Sequence, residues 1–214
     1  MNIQTRSSRY QSSRETILAT SRDIFLRHGY VDASMDAISQ HSGVSKTTLY
    51  AHFESKEALF NQVVVDMVSE HTDDAAALLD CPSGETFRDR LVSIGCRLLD
   101  RLLDPDAVAL IRLCVIEGSH MPRLSYDSLM TARTDLLQSL AGFFREQDGS
   151  DGLVIKDPRQ AADLFVVLTM RDFQLEAMLP WSAVNTPEAH QHNAERTADL
   201  MQQLYGSAIP GVPG

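Results

Sequence analysis

The sequence predicts an all-α protein of about nine helices, with a small N-terminal domain followed by a larger helical one. Apolar residues recur with the helical period along most of the 214-residue chain, and no segment shows the strict apolar–polar alternation of a half-buried strand. Proline and glycine separate successive periodic segments, and an apolar content of 43% is enough for a folded core.

The chain begins with a polar, Ser-rich segment over residues 1–13 that lacks helical periodicity. We expect a flexible N-terminal arm there, either a frayed terminus or a segment that contacts DNA once bound. The first helix is predicted over residues 14–28, and Gly29 ends it. Its buried stripe comprises Ile17, Leu18, Ser21, Ile24 and Phe25.

Two short helices follow, over residues 35–41 and 46–52, separated by a short turn. Ser34 and Ser45 stand at their N-caps, where a hydroxyl accepts hydrogen bonds from the unpaired N–H groups of the first turn. Gly43 ends the first of the two because it adopts a left-handed conformation without steric cost. Two helices joined by such a turn indicate a helix-turn-helix unit, whose second helix enters a DNA major groove.

The two sides of this unit differ in chemistry. An apolar side joins the helices through Ile38, Val44, Leu49 and Phe53. The outer side carries Lys46, Thr47, Thr48, Tyr50 and His52. Short hydroxyl side chains at the N-terminus of a recognition helix allow close approach to base edges and to the thymine methyl group. The outer side is therefore the predicted DNA-contacting surface.

Six further helices are predicted after the helix-turn-helix unit. They span residues 55–79, 85–103, 106–118, 122–146, 158–179 and 188–205. The segment 106–118 is apolar nearly all round, as expected of a helix that is buried on most sides. The tail over residues 207–214 has no partner pattern, and we expect it to be disordered.

The charge is distributed unevenly along the chain. The formal net charge of −10 by itself argues against a nucleic-acid-binding protein. Residues 1–62, however, carry 7 positive and 6 negative side chains, whereas the remainder carries 12 positive and 23 negative ones. A slightly basic N-terminal domain on an acidic body is consistent with DNA binding by the first domain alone.

The sequence also favours a reducing compartment. Cys81, Cys96 and Cys114 are widely spaced and lack a C-x-x-C pattern, which predicts buried free thiols, with a redox sensor as the alternative. The first 15 residues lack the apolar stretch of a signal peptide, and no apolar run approaches the length needed to span a bilayer. We expect a soluble, cytoplasmic protein.

Residues 14–64 resemble the DNA-binding domain of the TetR family of bacterial repressors. The resemblance is carried by the segments I-L-A-T-S-R-D-I-F-L-R-H-G-Y, M-D-A-I-S-Q-H-S-G-V-S-K-T-T-L-Y-A-H-F and S-K-E-A-L-F. Ser21 and Ser39 depart from the usual alanine of the family, and small polar side chains fit there. Residues 85–180, with R-L-C-V-I-E and D-P-R-Q-A-A-D-L-F, faintly resemble the AefR-like branch.

The resemblance implies a homodimer that binds an operator in double-stranded DNA through residues 14–60. Residues 61–206 would then form a domain that binds a small-molecule effector and dimerises. The predicted DNA-binding residues are Ser34, Ser45, Lys46, Thr47, Thr48, Tyr50, His52 and Lys56. By the resemblance, Lys46, Thr47 and Thr48 would meet base edges, and Tyr50, His52 and Lys56 would hold phosphates.

Three of these assignments have alternatives. Ser34 would either bond a phosphate through its backbone N–H or only cap its helix. Tyr50 would otherwise pack against the first helix, and His52 would otherwise lie at a solvated helix end.

The body helices indicate a mostly apolar ligand cavity with few polar anchors. The candidate lining residues are Met67, His71, Leu110, Cys114, Glu117 and Arg171. Glu117 and Arg171 stand out because a charge in an apolar helix is costly unless it is paired or faces a cavity. The alternatives are an ion pair of Arg171 with Asp172 in the dimer interface and a surface position for His71.

Dimerisation is assigned to the two amphipathic C-terminal helices, because pairing two of them from each subunit closes a four-helix bundle. The predicted interface residues are Leu164, Leu168, Leu175, Leu200, Met201 and Leu204.

Nothing in the sequence favours an enzyme. We find no G-x-S-x-G, no phosphate-cradling glycine loop and no paired acid–base motif, so no catalytic residue and no cofactor is predicted. His190 and His192 do not face each other at their i,i+2 spacing on a helix, so no metal site is predicted. The rival hypotheses are an enzyme with a vestigial DNA-binding domain and a protein-interaction module.

Overall fold

The computed structural model describes residues 3–72, 75–82, 84–118, 120, 122–171, 173–179 and 185–206. The side chains of residues 3–9, 71, 72, 75, 76 and 151 lie outside this description. The tail expected to be disordered, residues 207–214, also lies outside it.

The described residues form eleven α-helices and no strand, which confirms the all-α prediction. The helices are α1 (Ile3–Asp32), α2 (Met35–Ser42), α3 (Lys46–His52), α4 (Lys56–Thr72), α5 (Ala75–Leu79), α6 (Phe87–Leu102), α7 (Pro105–Ile116), α8 (Arg123–Gln147), α9 (Pro158–Met170), α10 (Phe173–Ala177) and α11 (Pro187–Tyr205). A 3-10 turn over Ser150–Gly152 follows α8, and an isolated bridge pairs Leu153 with Gly206. No described helix is long and apolar enough to cross a membrane.

Two predicted helices are divided in the structure. The segment 55–79 forms α4 and α5. The segment 158–179 forms α9 and α10, because Arg171 adopts φ 37° and ψ −125° and ends α9 at Met170. A positive φ is rare for a residue with a side chain and breaks the helical hydrogen-bond ladder. This explains why the structure has more helices than the nine predicted.

The chain divides into two compact units. The head unit comprises Met1–Glu70 and Ala109–Met130, and the body unit comprises His71–Val108 and Thr131–Gly214. The segment 109–130 was predicted to belong to the second domain, but it belongs to the same unit as the helix-turn-helix. Its residues Leu110 and Leu113 are buried in the core of the head unit.

The core of the head unit forms where the apolar stripes of α1 to α4 meet. Ile17, Ile38 and Leu49 have no exposed surface, as their predicted positions on buried stripes require. The rings of Phe25 and Phe60 meet edge to face with their centroids 5.0 Å apart. Such aromatic contacts add to the free energy gained from burying apolar area.

Helix α1 begins earlier than predicted and is interrupted at the predicted position. It begins at Ile3 rather than at residue 14, so residues 3–13 are helical and not an irregular arm. At the other end, Gly29 has φ 79° and ψ 175°, which interrupts the helix where the sequence placed its end. A short helical stretch to Asp32 follows this kink.

The body unit has its own core among α6, α8, α9 and α11. Phe87, Phe143, Phe144 and Phe165 form a buried aromatic cluster with centroids 5.3–6.4 Å apart. Helices α6 and α11 approach closely at Gly95, where a Cβ would stand 3.0 Å from the Cβ of Ala194. Glycine is needed there because a larger side chain would force the two helices apart.

Candidate nucleic-acid interface

The turn between α2 and α3 has the predicted geometry. Ser34 Oγ accepts a hydrogen bond from the Ala37 N–H at 3.1 Å, and Ser45 Oγ accepts one from the Thr48 N–H at 3.2 Å. Gly43 adopts φ 68° and ψ 8° and ends α2 in the left-handed conformation. The two caps and this glycine fix where α3 begins relative to α2.

The predicted base-contacting side chains lie on the outer surface of α3. Lys46 and Thr47 are exposed, and Thr48 is half-buried with its hydroxyl 2.9 Å from that of Ser45. The Lys46 ammonium lies 2.7 Å from the Asp36 carboxylate, and both side chains are more than half exposed. A surface ion pair of this kind is weak and leaves the lysine available to a phosphate or a base edge.

Tyr50 also lies on this outer surface. Its side chain is 50% exposed, so its ring does not fill the core of the head unit. Leu49 and Phe53 face the opposite way and are buried. The amphipathic arrangement expected for the second helix of the unit is therefore present.

His52 is the last residue of α3, but its ring is neither solvated nor exposed for a phosphate contact. The ring of Tyr10, from the helical N-terminal extension, lies over the His52 ring with the centroids 3.9 Å apart. Both ring nitrogens of His52 are buried without a hydrogen-bond partner among the described residues. Burial, and to a smaller extent the charge of Arg14, lower the pKa of His52 from its ordinary value of 6.5.

Lys56 forms hydrogen bonds within the head unit, whereas the family resemblance implied a phosphate contact. Its ammonium donates hydrogen bonds to the carbonyl oxygens of Tyr30, Val31 and Ala33 at 2.8, 3.1 and 2.9 Å. It also lies 4.6 Å from the centroid of the Tyr30 ring. An ammonium has three N–H donors, and these three carbonyls engage all of them.

Four of the residues predicted to line a ligand cavity lie in the head unit. Met67 and Leu110 are buried in the core of the head unit, and Cys114 packs against that core. Glu117 is 6% exposed and bonds the backbone of α1 instead of facing an open cavity. These side chains pack within the head unit because the C-terminal end of α7 belongs to that unit. The apolar periodicity of a single helix does not show which unit the helix packs against.

The other two predicted lining residues, His71 and Arg171, are assigned to the body unit. Arg171 belongs to the body unit and is exposed at the break after α9. Asp172, its expected ion-pair partner, and the side chain of His71 fall outside the described residues.

A groove of about 680 Å³ lies in the head unit between α1, α2 and α4. Met67 and Val63 contribute apolar surface to it, and six of its fourteen lining residues carry a charge, among them the Arg22–Glu70 ion pair at 2.7 Å. Among the described side chains that were predicted to line a ligand cavity, Met67 is the one that borders this groove.

The predicted dimer residues differ widely in exposure. Leu204 and Leu175 are 60% exposed, and Leu200 is 37% exposed. Leu164 and Leu168 are half-buried against the core of the body unit. Met201 has no exposed surface and belongs to that core, so it is not available for an interface.

The three cysteines are free thiols. Burial raises the pKa of Cys114 to about 11, and burial followed by the charges of Asp100 and Glu195 raises the pKa of Cys96. A raised pKa reduces the thiolate fraction, which argues against Cys96 and Cys114 as redox sensors.

Within the described ranges, no group of three or more His, Cys, Asp or Glu side chains could hold a metal ion.

Sequence comparison finds two family profiles in the chain. The profile described as bacterial regulatory proteins of the tetR family matches residues 17–63. The profile described as the C-terminal domain of AefR-like transcriptional repressors matches residues 89–207, more than half of the chain. The two matches cover the helix-turn-helix and most of the remaining helices.

Curated relatives match part of the chain. The transcriptional regulator UidR of Escherichia coli strain K12 is 42% identical over 64 residues, which cover 30% of this chain and 31% of UidR. The transcriptional activator FasR of Mycolicibacterium smegmatis is 41% identical over 51 residues, 24% of this chain and 23% of FasR. The chain thus aligns with less than a third of the length of each.

Solved structures match nearly the whole chain. A TetR-family regulator from Mesorhizobium loti has a TM-score of 0.78 and 25% identity, covering 92% of this chain and 98% of its own. The flavonoid-responsive regulator FrrA has a TM-score of 0.73 and 28% identity, covering 93% of this chain and 100% of its own.

The hydrogen bonds of Lys56 predict a stability effect that appears without DNA. Lys56→Met keeps the apolar stem but leaves three carbonyls without their donor, so we expect the free energy of unfolding to fall by about 1–3 kcal/mol. Lys46→Met is the control, with an expected change within about 0.5 kcal/mol because its ion pair is exposed. Urea denaturation followed by circular dichroism measures both. Unchanged stability of Lys56→Met together with weakened DNA binding would support a phosphate contact instead.

The Tyr10–His52 contact predicts how His52 titrates. The folded protein binds fewer protons at His52 than the unfolded chain just below pH 6.5, so this histidine's contribution to stability is present above pH 6.5 and decreases as the pH falls. Tyr10→Ala uncovers the ring, and we expect the pKa of His52 to rise towards 6.5. The NMR titration of the His52 ring proton measures it, with Tyr50→Ala as the control. An unchanged pKa in Tyr10→Ala would show that Tyr10 does not determine the environment of His52.

Proposed function

The chain belongs to the TetR family of bacterial regulatory proteins, and on that premise we propose that it is a homodimeric repressor released from a palindromic operator by a small molecule. One observation carries the DNA-binding part of this proposal. The capped helix-turn-helix unit presents Lys46, Thr47 and Tyr50 outward from α3 while Leu49 anchors the same helix in the core. Its relatives and structural neighbours are transcriptional regulators, not enzymes.

Each exposed group of α3 has a defined task in this proposal. Thr47 and Thr48 contact base edges and thymine methyl groups, and Lys46 exchanges its surface carboxylate for a base edge or a phosphate. Tyr50 and the backbone N–H groups near Ser34 and Ser45 bond phosphate oxygens and fix the register. Lys56 supports this surface from inside the head unit.

Dimerisation explains why the operator is palindromic. A two-fold axis places two copies of α3 in successive major grooves, about one helical turn apart or slightly more. We assign the interface to the exposed apolar side chains of the C-terminal helices, among them Leu200 and Leu204 of α11 and Val167 of α9. Large apolar side chains grouped on a protein surface are typical of subunit contacts.

Effector binding accounts for release. A ligand shifts the equilibrium between two head arrangements only by the difference between its affinities for them. FrrA, a structural neighbour, is named as flavonoid-responsive, so flavonoids are the first compounds to test as effectors. The acidic body, with 12 positive and 23 negative side chains after residue 62, favours neutral or cationic effectors over anions.

DNase I footprinting upstream of the protein's own gene tests operator binding. We expect a protected palindrome, and an affinity that falls steeply with rising salt because several phosphates are contacted. A Thr47→Ala/Lys46→Ala variant should lose the footprint, whereas Gln203→Ala, on the exposed surface of α11, should retain it. No protection at this or neighbouring promoters, even at low salt, would favour an interaction module or an enzyme.

The dimer assignment is tested by introducing a charge on α11. Leu204→Glu places a carboxylate on an exposed apolar position, so we expect monomers in sedimentation velocity while the circular dichroism spectrum stays the same. Gln203→Glu, which adds the same charge without removing an apolar side chain, is the control and should remain dimeric. A Leu204→Glu variant that sediments as a dimer would place the interface elsewhere.

A further inference from the structure

The segment from Gly29 to Ala33 connects α1 to the helix-turn-helix. Gly29, with φ 79° and ψ 175°, takes the backbone out of the helical conformation, and Ser34, the N-cap of α2, follows shortly after. The kink removes the Tyr30 and Val31 N–H groups from the helical ladder of α1. These two N–H groups lie in a part-buried environment, where backbone groups need partners that replace water.

Glu117 supplies the partner for these N–H groups. Its Oε1 accepts hydrogen bonds from the backbone N–H of Tyr30 at 2.8 Å and of Val31 at 3.4 Å. The side chain is 6% exposed, so the carboxylate is almost entirely removed from water. A buried carboxylate is tolerated because these N–H groups replace its hydration.

Glu117 is itself fixed by α7. Its N–H donates to the Leu113 carbonyl at 2.9 Å, and its own carbonyl accepts a hydrogen bond from the His120 N–H at 2.6 Å. Leu113, one turn earlier, is buried in the head core. The backbone that carries the carboxylate is therefore tied to the C-terminal end of α7.

The close fit of Glu117 explains why residue 29 is glycine. A Cβ at this position would overlap Oε1 of Glu117, and φ 79° is strained for any residue with a side chain. Lys56 completes the arrangement by donating to the carbonyls of Tyr30, Val31 and Ala33. The segment is thus held by a carboxylate at its N–H groups and by an ammonium at its carbonyls.

We infer that Glu117 is a positioning residue for operator binding. It does not touch DNA; it fixes the segment 30–33 and hence the point at which α2 begins, which in turn places α3. The inference rests on the proposed function, because operator affinity is the property that Glu117 would control.

The first experiment combines hydrogen exchange with operator binding on the full-length protein. In Glu117→Ala we expect the Tyr30 and Val31 amides to exchange at least about tenfold faster, and operator affinity to fall about tenfold or more, because a buried hydrogen bond to a charge is lost. Glu117→Gln retains a carbonyl oxygen at the same place, so it should recover part of both. Glu57→Gln, an exposed carboxylate whose charge acts on Tyr30, is the matched control and should change neither.

The second experiment separates positioning from general folding. Gly29→Ala should weaken operator binding more in the wild-type background than in Glu117→Ala, where the overlap with the carboxylate is gone and only the backbone strain remains. Equal effects in the two backgrounds would overturn the assigned contact. Thermal unfolding confirms that each variant is folded at the assay temperature.

The outcomes distinguish this inference from the proposed function. If the wild-type protein finds no operator, the proposed function fails, and the role of Glu117 in operator binding fails with it. If the wild-type protein binds and folded Glu117→Ala binds equally well, the repressor assignment stands and the inference is overturned. Faster exchange at Tyr30 and Val31 together with weaker binding, both partly restored in Glu117→Gln, supports it.

Discussion

The arrangement of the head unit depends on satisfying the backbone groups of one kinked segment. Gly29 ends the regular part of α1, and the residues that follow must turn into α2 without leaving buried N–H and carbonyl groups unpaired. Glu117, which directly follows α7, and Lys56, the first residue of α4, meet that requirement. Two charged side chains far apart in sequence therefore connect three helices at the base of the helix-turn-helix.

The contacts made inside the head unit determine which side chains of the motif are exposed for DNA binding. Lys56 is occupied by carbonyls, and the ring of His52 is covered by Tyr10. Lys46, Thr47 and Tyr50 keep exposed side chains on α3. The candidate surface is consequently narrower than the full set of polar residues in the motif, and it centres on the first two turns of α3.

The body unit uses polar groups differently. Its aromatic core is apolar, but His190 is buried with its ring nitrogens 2.7 Å from Asp100 Oδ1 and 2.8 Å from Asn185 Oδ1. Asn193, also buried, donates to the Thr169 carbonyl at 2.6 Å. These contacts join α6, α9 and α11 near their ends, where helix termini leave backbone groups unpaired. These contacts give His190 a structural role within the body unit.

The sequence alone determined the local features of this protein. Helical periodicity, the caps at Ser34 and Ser45 and the glycine at position 43 depend on neighbours within a few residues, so they could be read from the chain. Only the tertiary structure decided the roles of Glu117, Lys56, His52 and Met201, because burial and hydrogen-bond partners come from distant elements. The helical segment over residues 3–13 belongs to the second group as well: it has no apolar stripe of its own, and Tyr10 at its end packs on His52 of α3.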